Sequence, residues 1–332
     1  MRPELAVCPN SACGANRRIG IHSLKERRYK CHACGKTFAE TTGTALFGLK
    51  HALWLVVVVL ALLATGCPVP AIVFAFGLDE RTVADWQRKA GRHAKTVQEQ
   101  LVCQGQVDVG QVQADELYTK TQAGPIWVAT AMSVFSRLWL WGAISFSRDE
   151  ALITPVIEHT RAAARPDRPI LIAVDGFRAY VGCILKVFRD PLRTGKRGRP
   201  RLVVWPDLHI VQVVKHRVGR RLVSITRRLA QGSLERAEAL MQATQVELGR
   251  INTAYIERLN ATLRTWMPAL VRRTRTPSGD REQLEAALFW TGCVYNFCHV
   301  HATLAGTPAM AADLTDHVWS IEELIRYRCR RE

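Results

Sequence analysis

The sequence predicts an α/β domain behind a small cysteine-clipped module and an all-α segment, and three observations carry that prediction. Four cysteines, Cys8, Cys13, Cys31 and Cys34, fall in two close pairs near the N-terminus. Three successive stretches rich in Val, Trp and Ile, residues 113–121, 126–135 and 138–146, have the spacing of consecutive strands. The run Ile170-Leu-Ile-Ala-Val174 follows Pro169 and contains three β-branched residues, which suits a short strand buried on both faces. A chain of 332 residues with 48% apolar side chains has room for two or three domains and a sizeable core.

Charge narrows the partner. There are 46 Lys and Arg against 29 Asp and Glu, a net +17 with a pI near 9.9. A surface of that sign attracts polyanions, of which nucleic acid is the commonest, although a merely solvated basic surface competes. Ten cysteines suit a secreted disulfide protein only behind an export signal. The start, Met-Arg-Pro-Glu-Leu-Ala-Val-Cys-Pro, carries no apolar stretch of that kind, so a reducing cytoplasm is expected. The unbroken apolar run at 52–64 is 13 residues long. A spanning helix needs about 20, so no membrane partner is expected.

Residues 1–48 read as a zinc ribbon. Two close cysteine pairs joined by a loop can set four thiolates tetrahedrally around one Zn²⁺. In the second pair, Cys31-His-Ala-Cys34-Gly-Lys-Thr-Phe38, Gly35 permits the tight turn and Phe38 can pack beneath the metal. So small a module has a physical need for a metal clip, and four free thiols are the competing reading. His22 and His32 are spare ligands more in keeping with the surface. Arg17, Arg18, Lys25, Arg27, Arg28 and Lys30 give the module a basic face.

Residues 49–104 read as three short helices. The first, 52–64, is apolar nearly all round and therefore expected to be buried. Pro70 suits the start of the second, 70–76, Gly77 supplies a turn, and Asp79 can cap the third, which runs from Glu80 towards Gln100. Val83, Trp86 and Ala90 form its inward stripe, leaving Arg81 and Arg88 elsewhere. Helix, glycine turn and basic helix is the arrangement that lays a recognition helix in a major groove. A plain helical hairpin packing domains together is the alternative.

Residues 105–315 read as the α/β domain. Three meandering strands, a helix over 149–164 and the strand at 170–174 make a topology compatible with an RNase H-like core, and with several other α/β sheets. Asp175 follows the buried strand directly, where open α/β sheets gather ligands. It is equally suited to capping a helix. Asp115 and Glu116 lie on the first strand, and alternation lets only one of them meet Asp175. Asp115 and Asp175 at the ends of adjacent strands would form a carboxylate pair that favours a divalent cation. Tyr255, Ile256, Leu259 and Leu263 recur at helical spacing, so Glu257 sits beside a buried edge and can supply a third acid.

Asn252 to Arg264, with Asp115-Glu116 and Asp175-Gly176 upstream, resembles a DDE transposase of bacterial insertion sequences. The zinc ribbon and helix-turn-helix resemble the family of insertion sequence one in particular. The segment from Trp290 to Leu304, with Thr307-Pro-Ala309, is similar to the end of a retroviral-integrase-like core. His299 and Val300 stand where that family often shows Arg-Pro, which bears on a loop and not on the acids. The resemblance covers Cys8 to Leu314. It implies an RNase H-like catalytic core in which Asp115, Asp175 and Glu257 bind two Mg²⁺ (or Mn²⁺), with Glu116 a packing or supporting residue. It also implies that water nicks a transposon end and that the freed 3′-OH then attacks target DNA at the same site. The implied partners are the terminal inverted repeats, target DNA and further copies of the chain in a synaptic homo-oligomer, in a bacterial, nucleoid-associated setting.

Residues 186–228 read as a basic insertion, with 13 Lys and Arg against Asp190 and Asp207. Lys196, Arg197, Arg199 and Arg201, spaced by Gly195 and Gly198, resemble an AT-hook core, and generic phosphate contact is the simpler reading. Arg258, Arg264, Arg272 and Arg273 can extend a basic path beside the acids. His299 and His301 read as core or phosphate-contacting residues. The tail, 316–332, reads as a helix from Ile321 to Arg331 with a basic end. The main rival to an enzyme is a DNA-binding regulator that keeps the fold without activity.

Overall fold

The computed structural model describes all residues except 2, 4, 5, 11, 14–17, 194, 196, 197, 220, 245–248, 272–276 and 330–332. Three short antiparallel strands, β1 (Ile19–Ser23), β2 (Arg28–Cys31) and β3 (Thr37–Ala39), form the N-terminal module. Among the described residues its buried core is Ala6, Tyr29, Cys31 and Phe38. Too little apolar surface is removed from water here to hold a fold unaided.

Three helices follow, α1 (Leu53–Ala64), α2 (Val69–Phe76) and α3 (Glu80–Leu101). Their punctuation follows the sequence. Pro70 sits in the first turn of α2, Gly77 ends it at φ 62°, and the Asp79 carboxylate accepts the Arg81 amide at the start of α3. The expectation that α1 is buried all round is corrected. Trp54 is 65% exposed, and Phe74 on α2 is 92% exposed. An apolar composition alone supplies no partner for the outer side of that segment.

Among the described residues six strands form the main sheet: β4 (Gln111–Thr121), β5 (Gly124–Ser133), β6 (Trp139–Ser145), β7 (Ile170–Val174), β10 (Leu208–Val218) and β11 (Arg221–Gln231). Their order is β11-β10-β7-β4-β5-β6. The β4–β5–β6 meander is antiparallel, whereas β7 lies parallel to both β4 and β10. Between β6 and β7 runs α4 (Glu150–Ala163), capped by Asp149; α5 (Arg178–Val187) follows β7. All five residues of β7 are buried, and they divide between two cores. Ile170, Ile172 and Val174 join the large core, while Leu171 and Ala173 meet Ala237 and Met241 of α6 (Leu234–Thr244). That division is why the run is apolar without alternation.

The basic stretch 186–228 is not an appended arm. It contains all of β10 and most of β11, and only β8 (Arg189–Leu192) with β9 (Arg201–Val204) stands apart as a two-stranded ribbon. The long strands are hidden in the sequence because Lys and Arg dilute their Val and Ile. Lys196 and Arg197 lie outside the described residues, as do Arg17, Arg272, Arg273 and Arg331.

The sheet and the helical segment share one core. After α7 (Ala254–Trp266), helix α8 (Arg281–Cys293) packs along α3, where Arg92 pairs with Glu282 and Lys95 with Glu285. Besides the expected Val83, Trp86 and Ala90, α3 buries Gly91, His93, Ala94, Val97 and Gln98. A π-helical turn over Val294–Cys298, a short α9 (Pro308–Ala311) and α10 (Ile321–Arg326) complete the chain. The tail's helix stops at Arg326, short of the expected Arg331, and the tail ties the ends of the chain together. The Ile325 carbonyl accepts the Ala45 amide at 3.1 Å, the Leu324 carbonyl accepts His93 Nε2 at 3.1 Å, and Arg328 donates to the Glu40 carbonyl at 3.0 Å. Among the described residues no helix is long and apolar enough to cross a membrane.

Gly91 sets how closely α3 approaches α8. A Cβ there would stand 2.6 Å from the carbonyl carbon of Ala286, with further backbone atoms nearer still. Replacing a helix-interior glycine by alanine normally stabilises by about 1 kcal/mol. Here the two helices must part, so Gly91→Ala is expected to lose about 1–3 kcal/mol instead. Urea unfolding followed by circular dichroism measures the sign.

Candidate functional site

Two clusters of ligating side chains occur among the described residues. In the first, Cys8, Cys13, Cys31 and Cys34 place their sulfurs within 4.8 Å of one another. Cys8 and Cys34 are 3.6 Å apart, and Cys13 and Cys31 are 3.7 Å apart. These are not disulfide lengths, which are about 2 Å. A tetrahedron with Zn–S bonds of about 2.3 Å separates its sulfurs by about 3.8 Å, so the four thiols fit one Zn²⁺. Gly35 makes the turn at φ 73°, and its amide bonds the Cys31 carbonyl at 2.8 Å. Phe38 packs on Tyr29 with ring centroids 5.8 Å apart. A backbone hydrogen bond from Lys36 lowers the Cys34 thiol to about 6, while burial raises Cys8 to about 12. His22 and His32 take no part in the cluster.

The second cluster lies where β7 stops. Ala114 of β4 pairs with Val174 of β7, so Asp115 and Asp175 come next, side by side on parallel strands. Asp115 is not at a strand end, as expected, but in the middle of β4, which continues after its neighbour has ended. Asp115, Glu116 and Asp175 each bring a carboxylate oxygen within 4.8 Å of the others. The expectation that only one of the acidic pair can meet Asp175 is therefore corrected. Asp175 lies beyond the ladder, at the sheet's rim, where side chains from both faces reach it.

Each acid is held by named partners. The Asp175 Oδ1 accepts the Phe177 amide at 2.9 Å, a turn leading into α5, and Oδ2 faces Arg148 at 3.4 Å. The carboxylate thus closes the turn before α5 rather than capping the helix, whose N-cap residue is Phe177. Asn260 of α7 donates to Asp115 at 2.9 Å while accepting the Thr130 hydroxyl at 3.1 Å. Glu116 receives the Tyr180 hydroxyl at 2.9 Å and the Arg148 guanidinium, which lies 4.3 Å over the Phe177 ring. Burial raises the Asp115 and Glu116 carboxyls above their ordinary range, and the Asp175 charge raises them further.

Glu257 lines the same open pocket of about 600 Å³ as Asp115 and Asp175, but stands outside the close group. Its carboxylate pairs with Lys215 of β10 and accepts the Thr253 hydroxyl at 2.9 Å. The start of α7 is fixed from β4. Gln113 Oε1 accepts both the Tyr255 and Ile256 amides at 3.0 Å, and Gln113 Nε2 donates to the Asn252 carbonyl at 2.7 Å. Two residues before Asp115, that side chain sets the distance from the strand acids to Glu257.

Of the basic candidates, Arg258 is exposed beside Glu257, and Arg264 is half-buried farther along α7. Arg199 and Arg201 are exposed at the β8–β9 ribbon. Arg81 and Arg88 do not line the acid pocket. Arg81 is exposed on α3, and Arg88 lines a separate cavity of about 400 Å³ beside Gly66 and Trp266. His299 packs edge-on against Trp266 at 4.8 Å, and burial lowers its pKa. Arg148, Lys215, Asn260, Gln113 and Tyr180 do not stand out in the sequence. Only Lys215, inside the basic stretch, carries a signal there.

No known protein family matches the chain, and no curated protein matches it either.

The cysteine cluster predicts one zinc per chain by elemental analysis, lost in Cys31→Ser. Chelation is expected to expose the first 48 residues to limited proteolysis while leaving the α/β core protected, because the module's own core is small. The acid cluster predicts stabilisation by Mg²⁺ or Mn²⁺ of about 2.7 kcal/mol at a hundredfold excess over Kd, absent in Asp175→Asn. Because Asp115 and Glu116 titrate higher folded than unfolded, the folded protein binds protons more tightly than the unfolded chain. Stability without metal therefore falls as pH rises upward from the ordinary carboxylate range. A cation relieves that loss only when the acids are ionised, so the metal-induced Tm shift grows as pH rises above the ordinary carboxylate range in scanning calorimetry.

Proposed function

We propose that the chain is a DDE-type transposase that nicks transposon ends and transfers the 3′-OH strand into target DNA. The observation that carries this reading is the convergence of Asp115, Asp175 and Glu257 on one open pocket, from two parallel strands and a helix. An RNase H-like core is supported by the antiparallel meander β4–β5–β6, the crossover through α4 and the parallel pairing of β7 with β4. The net charge of +17 suits a polyanionic substrate.

The donor set fits hard cations, since every side chain in the cluster offers carboxylate oxygen. Bound by Asp115, Asp175 and Glu257, two Mg²⁺ ions would supply activation of an attacking oxygen and neutralisation of a leaving one. The chain's own residues do the positioning. Asn260 holds one oxygen of Asp115, the Phe177 amide holds one oxygen of Asp175, and Thr253 holds Glu257. Glu116, already engaged by Tyr180 and Arg148, keeps the Arg148 guanidinium at the pocket's rim, where a phosphate group would approach. The four thiolates of the N-terminal module hold structural zinc in this reading, and the helices α2 and α3 add DNA contacts through Arg81.

The test is an assay of end nicking and strand transfer with Mg²⁺ and DNA carrying the repeats that flank the gene. Asp115→Asn, Asp175→Asn and Glu257→Gln are each expected to lose about a thousandfold or more in rate while keeping DNA binding. A wild-type protein as inactive as the variants, yet still binding the repeats specifically, would make the chain a DNA-binding regulator.

A further inference from the structure

The β10–β11 ribbon has an end that runs on past the rest of the main sheet. β10 parts from its partner β7 after Gln212, and from Val213 to Val218 only β11 is hydrogen-bonded to it. Six residues at about 3.3 Å each carry the ribbon about 20 Å past the last rung it shares with β7. Residues 216–219 and 221–226 are exposed, with Val218 at 74% and Val223 at 61%. The turn starts at Gly219, whose φ is 60°.

Its charge is of one sign. Between Asp207 and Glu235 the sequence has six Lys and Arg and no acid. Lys215 is held by Glu257 at the ribbon's base and Arg227 donates to the Ile251 carbonyl at 2.6 Å. Arg217, Arg221 and Arg228 enter no ion pair among the described residues. Arg217 lies two residues beyond Lys215 on the same face of β10, so the positive line runs outward from the acid pocket.

An exposed edge strand can also accept a strand from a second copy, but β11 is built against that. The register with β10 slips twice, between Ile210 and Val211 and between His216 and Arg217. Bulges twist an edge away from flat pairing, and its arginines would repel their own copies. A two-stranded ribbon instead matches the major groove of B-form DNA, about 12 Å wide. The deep, narrow major groove of A-form RNA does not admit it.

We propose that the β10–β11 ribbon enters the major groove of duplex DNA with its free end and holds that duplex across the acid pocket, mainly through phosphate contacts from Arg217 and Arg221 on the free end and from Arg228 at its base, opposite Gln212. The inference rests on the DNA-processing function above. It is tested on the full-length protein by fluorescence anisotropy with a short duplex of random sequence, across a range of salt and without divalent metal. Arg217→Ala/Arg221→Ala/Arg228→Ala is expected to weaken binding and to flatten the slope of log K against log salt by about 0.9 for each arginine that touches a phosphate. The corresponding triple Lys variant should retain the wild-type slope, because neutralising a phosphate requires only charge. Wild type that binds duplex while the Ala variant keeps an unchanged slope would overturn the ribbon's role and leave the function standing. An unchanged slope with disappearance of a dimer in light scattering would overturn it too, and assign the edge to a second copy. Wild type that binds no duplex at all would sink both.

Discussion

The strand β7 has five residues while β4 and β10, its neighbours on either side, have eleven each. A parallel sheet with a short strand between long ones carries a notch at its carboxyl edge, and ligands collect at such edges. Asp175 forms the floor of that notch, β4 supplies Asp115 and Glu116 on one wall, and β10 supplies Lys215 on the other. The shortness of β7 follows from Asp175 and Gly176, whose turn redirects the chain into α5. A Val214 methyl lies 3.4 Å from where a Cβ on Gly176 would stand, so even that turn is closely packed.

Gathering carboxylates in a notch costs free energy through desolvation and repulsion, and the neighbouring side chains are arranged to offset it. Arg148 bridges Glu116 and Asp175, Asn260 serves Asp115, and Lys215 serves Glu257. The compensation is incomplete, because Asp115 and Glu116 still titrate above their ordinary range. Carboxyls raised by burial and a neighbouring like charge in an open pocket are a mark of candidate functional sites. Gln113 matters as much as any charge here. It is buried, and it spends both ends of its amide on backbone groups of α7 and of Asn252 just before it, which fixes the strand-to-helix spacing.

Much of this is legible in the sequence, and the omissions have physical reasons. The helix starts at Asp79 and Asp149, the glycine stop at Gly77 and the doubly buried 170–174 strand are local signals, written in the residues that make them. Alternation places Asp115 and Glu116 on opposite faces correctly, since Asn260 reaches one and Tyr180 the other. It fails only at Asp175, because a residue past the end of a ladder no longer obeys its two-sidedness. Gln113, Asn260 and Arg148 are silent because their partners are 27 to 145 residues away in sequence. The β10–β11 ribbon reads as an arm since arginine at every few positions masks a strand's apolar period. The outer face of α1 misleads for the opposite reason: its uniform apolarity names no direction.

Charge ties the two halves of the site together. The protein carries +17 overall, yet at this notch it concentrates four acids. A DNA phosphate drawn in by the basic surface meets carboxylates at the point where chemistry is proposed, and in a half-buried pocket that repulsion is poorly screened. Only positive charge between the two can reconcile them. Arg148 and Lys215 provide it, and both stand at the pocket's rim. Metal bound to Asp115, Asp175 and Glu257 would compete with Lys215 for Glu257 and with Arg148 for Asp175, while Glu116 keeps Arg148 at the rim facing the incoming phosphate. In the proposed function the same cations therefore serve twice, first protecting the folded state from its own acids and then binding the substrate.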